Sequence, residues 1–170
     1  VQEAARILEG CGYADVLSVG LDRALNDRRT AVFDDLEAIA PKDGIVSLFR
    51  MRYDYHNAKT IVKAEAMGTD PLPLMSGAGR EKPEALLAAY NEDRCKDLPG
   101  LLGDAMTEAK SVLARSANPQ LADFVLDKAY FGELVKLTDA LDSRYLKGYV
   151  AVMADSTNLR SAVRTLRMGK

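Results

Sequence analysis

One string of this chain occurs twice. Asp54-Tyr-His-Asn-Ala-Lys-Thr-Ile-Val-Lys-Ala-Glu-Ala-Met-Gly68 returns, without a gap, as Asp155-Ser-Thr-Asn-Leu-Arg-Ser-Ala-Val-Arg-Thr-Leu-Arg-Met-Gly169. Asp54/Asp155, Asn57/Asn158, Val62/Val163, Met67/Met168 and Gly68/Gly169 are identical, and Lys59/Arg160, Thr60/Ser161 and Lys63/Arg164 keep their chemistry. Each copy closes on a glycine, the residue that most easily takes the left-handed stop after a helix. Two amphipathic helices ending in glycine share some apolar positions by chance. A shared Asp and Asn inside them is harder to obtain that way. Both are poor helix formers, because their short polar side chains compete for backbone hydrogen bonds. An offset of roughly 100 residues exceeds the periods of the common helical solenoids. The expectation is therefore repeated domains of several helices each, related by pseudo-rotation in a funnel or toroid: 1–80, N-terminally incomplete, and 81–170, C-terminally truncated.

The rest of the chain reads as helix as well. Residues 2–9 are short and helical, closed by Gly10 and Gly12. A stretch over 13–25 spaces Val16, Leu17, Leu21 and Leu25 near threes and fours. Val32, Phe33, Leu36, Ile39 and Ala40 mark a third helix, ended by Pro41 and Gly44. A long helix follows over 45–67. Residues 69–82 hold prolines and glycines and read as a loop. Pro83 suits a first helical turn, so helix resumes there through Tyr90. Further helices are predicted over about 98–117, from the Asn118-Pro119 cap to about Leu141, and over 143–168. No segment alternates like a strand, so the fold class is all-α.

Composition excludes some functions. A net charge of −2 over 170 residues argues against a general nucleic-acid binder. No apolar run approaches the roughly 20 residues that span a bilayer, and no signal peptide is apparent. Cys11 and Cys95 fit neither a CxxC nor a zinc spacing and read as reduced thiols. The chain opens on Val1 and stops at Gly169-Lys170 directly after a helical pattern, so a piece of a longer protein is expected.

Candidate chemistry is sparse. His56 is the sole histidine; its counterpart in the second copy is Thr157, and Asp54 lies two residues away, off its helical face. A structural or partly buried histidine is the expectation. Ser76-Gly77-Ala78-Gly79 is glycine-rich, but Arg80-Glu81-Lys82 lacks the Gly-Lys-Ser/Thr of a phosphate loop, and no strand precedes it. Asp34, Asp35, Asp142 and Asp155 have no acid–base or metal spacing and read as caps or solvated faces. No catalytic residue, metal site or cofactor is expected. Asp54, Asn57, Gly68, Asp155, Asn158 and Gly169 read as structural positions of the repeat, with both asparagines bonding neighbouring backbone groups. Lys59 and Lys63, and Arg160, Arg164 and Arg167, lie at helical spacings on single faces. Solvated faces are the plain reading; the alternative is charge-complementary docking of a partner.

Arg52-Tyr53-Asp54-Tyr55-His56-Asn57-Ala58-Lys59 resembles the signature of the V-type ATP synthase C/d subunit family. Asp127-Lys128-Ala129-Tyr130-Phe131 is similar to its second landmark, and Thr157-Asn158-Leu159-Arg160, after Tyr149-Val150 and Asp155, to its aspartate-x-threonine-asparagine segment. The loop Asp70–Gly79, Pro83-Glu84-Ala85-Leu86-Leu87 and Gln2–Val16 also resemble family regions, in the right order. The resemblance implies a funnel of three related helical domains, of which this chain carries the second and most of a neighbour. It implies a non-catalytic central-stalk adaptor between the soluble rotor shaft and the membrane rotor ring of a rotary ATPase, transmitting torque for ion transport. The implied place is cytoplasmic, with the membrane met only through the ring. From the residues alone, a generic helical scaffold or an all-α enzyme with an unrecognised site also stays open.

Overall fold

The computed structural model describes residues 2–13, 16–40 and 44–167. Its helices are α1 (Gln2–Gly10), α2 (Val16–Val19), α3 (Leu21–Ile39), α4 (Ile45–Met67), α5 (Pro83–Asn91), α6 (Leu102–Ser116), α7 (Pro119–Ala140) and α8 (Arg144–Arg167). Single 3-10 turns sit at Leu72–Leu74 and Cys95–Asp97. No strand occurs among the described residues. The all-α expectation holds.

The punctuation follows local chemistry. Gly68 takes φ 64°, and the N–H of Thr69 reaches back to the Ala64 carbonyl at 3.0 Å, closing α4. Asn118 caps α7: its side chain accepts from the Gln120 N–H at 3.0 Å, and Pro119 fills the first turn. Two boundaries differ from expectation. The predicted helices over 13–25 and from Val32 are instead α2, a break at Gly20 with φ 88°, and one continuous helix to Ile39. The polar run Asn26–Thr30 has the composition of a turn. It is helical, with Thr30 Oγ1 donating to the Asn26 carbonyl and Arg23 facing Asp27 one turn on. The helix expected from about Leu98 starts at Leu102, because Gly100 turns the chain at φ 67°. Pro41 lies outside the described residues.

α4 is the central element. It packs most heavily on α7, which in turn packs on α6 and α8. One apolar core joins Leu48, Met51, Tyr55, Ile61 and Val62 of α4 to Leu86, Leu102, Met106, Leu126, Leu134, Leu146 and Val150. It thus draws on both sides of residue 80. A small separate cluster of Ala5, Val16 and Ala24 holds α1, α2 and the start of α3 together. α8 is buried only near its start, at Leu146 and Val150. Beyond Met153 it runs into solvent, with Leu159 67% and Leu166 75% exposed.

Candidate functional site

Arg50, Asp54 and Asn57 recur at four and three residues along α4, so they form one stripe. All of them are buried. A buried polar group must find hydrogen-bond partners or cost stability. The loop 76–81 supplies them. Asn57 Nδ2 donates to the Ser76 carbonyl at 2.8 Å, and Asn57 Oδ1 accepts from the Ser76 N–H at 2.8 Å. Asp54 Oδ1 accepts from the N–H groups of Arg80 and Glu81, at 2.8 and 3.1 Å. Arg50 Nη1 donates to the Gly79 carbonyl at 3.1 Å. A side chain at Gly79 would run into Asp54 Oδ1, so this position admits only glycine without a shift.

Arg80 carries the network to α7. Its Nε meets Asp54 Oδ2 at 2.6 Å and its Nη1 meets Glu133 Oε1 at 2.8 Å. Tyr55 donates its hydroxyl to Glu133 Oε2 at 2.8 Å, and the Leu101 N–H reaches the same oxygen at 3.3 Å. Burial lifts the Asp54 carboxyl above its ordinary value, against the pull of the Arg80 guanidinium and the two N–H groups. Burial first, and then the Glu133 carboxylate, push the Tyr55 hydroxyl far up. On the other flank, Arg50 pairs with Asp34 and, at 3.1 Å, with Glu37 of α3. Ser76 Oγ donates to Asn26 Oδ1 at 2.8 Å. The loop is thus tied to α3, α4 and α7 together.

This arrangement suits holding, not turnover. Asp54 is fully buried and bonded to protein groups on both oxygens. A general acid or base must reach the proton it moves, and this carboxylate faces its own chain. Among the described residues, no cluster of His, Cys, Asp and Glu has the makings of a metal site, and no helix is long and apolar enough to cross a membrane.

The sequence of this chain decides its kinship. The sequence model of the ATP synthase (C/AC39) subunit family matches residues 1–170. The chain belongs to that family. It is 27% identical over 168 residues to the C subunit of the V-type sodium ATPase of Enterococcus hirae, covering 96% of this chain and 51% of that protein. It is 27% identical over 165 residues to the C subunit of the V-type ATP synthase of Thermus thermophilus, covering 92% of this chain and 49% of that protein. The chain spans about half the length of these curated relatives. No solved structure matches it significantly.

In this member of the C/AC39 family, the first copy of the repeated string is the clamp. Asp54 and Asn57 bind backbone of the 76–81 loop, and Gly68 ends α4. The second copy stands in unlike surroundings. Asp155 and Asn158 are exposed, in the part of α8 beyond its buried residues Leu146 and Val150. Asn158 therefore does not hold neighbouring backbone as Asn57 does. Met168 and Gly169 lie outside the described residues.

The basic residues divide in the same way. Lys59 pairs with Asp127, and Lys63 with Asp123 at 2.8 Å, so both lysines of the first copy face α7. Arg160, Arg164 and Arg167 are exposed, with Arg160 Nη2 on Ser156 Oγ of its own helix at 3.1 Å. His56 is exposed rather than partly buried, its Nε2 3.4 Å from the Leu74 carbonyl. Tyr55 belongs to the signature string, but Arg80 and Glu133 do not stand out in the sequence. Arg80 looks like one charge in a charged loop, and Glu133 like one carboxylate on a helix. Their meeting depends on tertiary contact.

Proposed function

We propose that this chain is part of a non-catalytic central-stalk adaptor of a rotary V-type ATPase or ATP synthase. It links the soluble rotor shaft to the membrane rotor ring, transmits torque for ion transport, sits on the cytoplasmic side and meets the membrane only through the ring. The observation that carries this reading is the family match over the whole chain. The internal clamp supports it, since the polar residues of the signature string hold a loop in place and leave surfaces as the means of function. Rigid helices joined by buried charge-assisted bonds suit an element that passes on force. The exposed arginines Arg160, Arg164 and Arg167 are the docking charges of this proposal. Repeat units 1–80 and 81–170 belong to the same reading, with the copies diverged from clamp to docking face.

Co-purification tests it. The full-length protein, mixed with the shaft and ring proteins of its own complex, should elute with both on size exclusion. Calorimetry with ATP should show no stoichiometric binding to the chain. Elution apart from both partners, or tight ATP binding, would remove the adaptor reading and favour a generic helical scaffold or an enzyme respectively.

A further inference from the structure

α8 carries two apolar stripes. Leu146 and Val150, with half-buried Met153, face the core. The other stripe, Tyr149, Val152, Ser156, Leu159, Val163 and Leu166, recurs at alternating threes and fours. That is the spacing of a seam for a neighbouring helix. Its five apolar members are each at least 39% exposed. Where the core ends, the first stripe turns polar and basic, continuing as Thr157, Arg160 and Arg164, while the second stays apolar as far as Leu166.

The first copy of the repeated string has the same seam, occupied. At the offset that pairs Asp54 with Asp155, the counterparts of Tyr149, Val152, Ser156, Leu159 and Val163 are Leu48, Met51, Tyr55, Ala58 and Val62. Each of these is at most 2% exposed. Their helix, α4, packs most heavily on α7. Beside the seam Lys59 pairs with Asp127 and Lys63 with Asp123, two carboxylates four residues apart on an antiparallel helix. The counterparts Arg160 and Arg164 have no carboxylate partner among the described residues. No Asp or Glu stands between Ser156 and Arg167, and helical spacing puts Asp155 on the opposite edge of the seam from Arg160.

We infer that the outer half of α8 takes an antiparallel helix of a partner polypeptide, its apolar side chains on Val152, Leu159, Val163 and Leu166. Two carboxylates of that helix, four residues apart, meet Arg160 and Arg164, whose planar forks suit them. The inference rests on the adaptor reading and deepens it by naming the element that the partner brings. A second copy of this chain fits less well, since its own α8 brings three arginines for one aspartate between Asp155 and Arg167.

Fluorescence anisotropy on the 170-residue chain and on the full-length protein tests this. The probe is a labelled synthetic helix of three heptads with a leucine seam and glutamates four apart along one edge, compared with its glutamine counterpart. The glutamate helix should bind both proteins, about tenfold tighter than the glutamine one. R160Q/R164Q should lose that preference and keep the weaker binding, while Leu159→Asn should abolish binding of both helices. Leu166→Asn takes its place if Leu159→Asn unfolds by circular dichroism. Equal binding of the two helices, an undiminished preference in folded R160Q/R164Q, or full binding by the folded asparagine variant would overturn the site. So would a dimer in sedimentation equilibrium, or binding to phosphatidylglycerol vesicles without binding of the helix, when the asparagine variant abolishes it. A helix bound by the 170-residue chain but not by the full-length protein would mean that the protein covers this face itself, and would overturn the partner. Full-length protein that joins shaft and ring but binds no helix sinks this inference alone. Helix binding by a full-length protein that joins no rotor partner sinks the adaptor reading and leaves the helix site.

Discussion

Asn57 holds the backbone of Ser76 by both of its polar groups, through the amide nitrogen to the carbonyl and the amide oxygen to the N–H, each at 2.8 Å. Ser76 lies beyond the end of α4, yet this pairing returns the loop to the helix as two strands of a sheet would pair. Asn57→Ala leaves two buried backbone groups without partners, each costing about 1–3 kcal/mol. Asn57→Asp keeps the acceptor but sets a carboxylate against a carbonyl. Both variants should lower the urea midpoint, and the aspartate at neutral pH should do so no less than the alanine. An unchanged midpoint would mean that the loop is not held from here.

Gly79→Ala tests the same clamp from the other side. The added methyl meets Asp54 Oδ1, and the loop must move off α4 to admit it. Overpacking of this kind costs about 1–3 kcal/mol. Proteolysis should then cut near residues 76–81 at lower protease concentration than in the wild type. Equal resistance would show that the loop has room to spare.

Much of this was legible in the sequence. Gly68, Asn118-Pro119 and Pro83 act locally, through φ preferences and caps, and local chemistry is what a string of residues records. The clamp was only half legible. Asp and Asn inside a helix announced that something must satisfy them, but Arg80 and Glu133 are brought there by chain reversal, which no nearby residue encodes. α4 also carries its polar stripe inward, so apolar periodicity understated how buried it is. One missed signal was available. Lys59 and Lys63 on α4 are spaced as Asp123 and Asp127 are on α7, and in an antiparallel pair of helices these match crosswise.

That crosswise match gives a third prediction. Double-mutant cycles on Lys59 with Asp127 and on Lys63 with Asp123 should each return a coupling of about 0.2–1 kcal/mol, the range for partly exposed pairs. The coupling should shrink as salt is raised. Coupling between Lys59 and Asp123, which do not pair, should be within error of zero. A cycle that reverses this order would place the helices in another register.

Alkaline pH should loosen the fold. Burial raises the hydroxyls of Tyr55 and Tyr90 far above the ordinary tyrosine value, and that of Tyr130 to about 12. The folded chain therefore keeps protons that the unfolded chain releases. Stability is fully present below about pH 10, the ordinary tyrosine value, and falls as pH rises from there towards the folded values. The melting temperature should drop steadily from about pH 10 upward. Tyr55→Phe should melt lower at neutral pH, by losing its bond to Glu133, yet fall less steeply above pH 10. A parallel fall in both proteins would mean that Tyr55 is not one of the groups responsible.

The first copy of the repeated string holds a loop to α4, while the exposed face of the second is the proposed docking surface. Native mass spectrometry of the full-length protein with its shaft and ring partners tests it most directly, comparing wild type with R160E/R164E. Arg and Glu have similar helix propensity, and these side chains are exposed, so the variant should keep the wild-type melt. It should nevertheless fail to join the complex, with the deficit greatest at low salt. A variant that assembles as well as the wild type at every salt concentration would contradict the docking face, and a wild type that joins neither partner would contradict the adaptor itself.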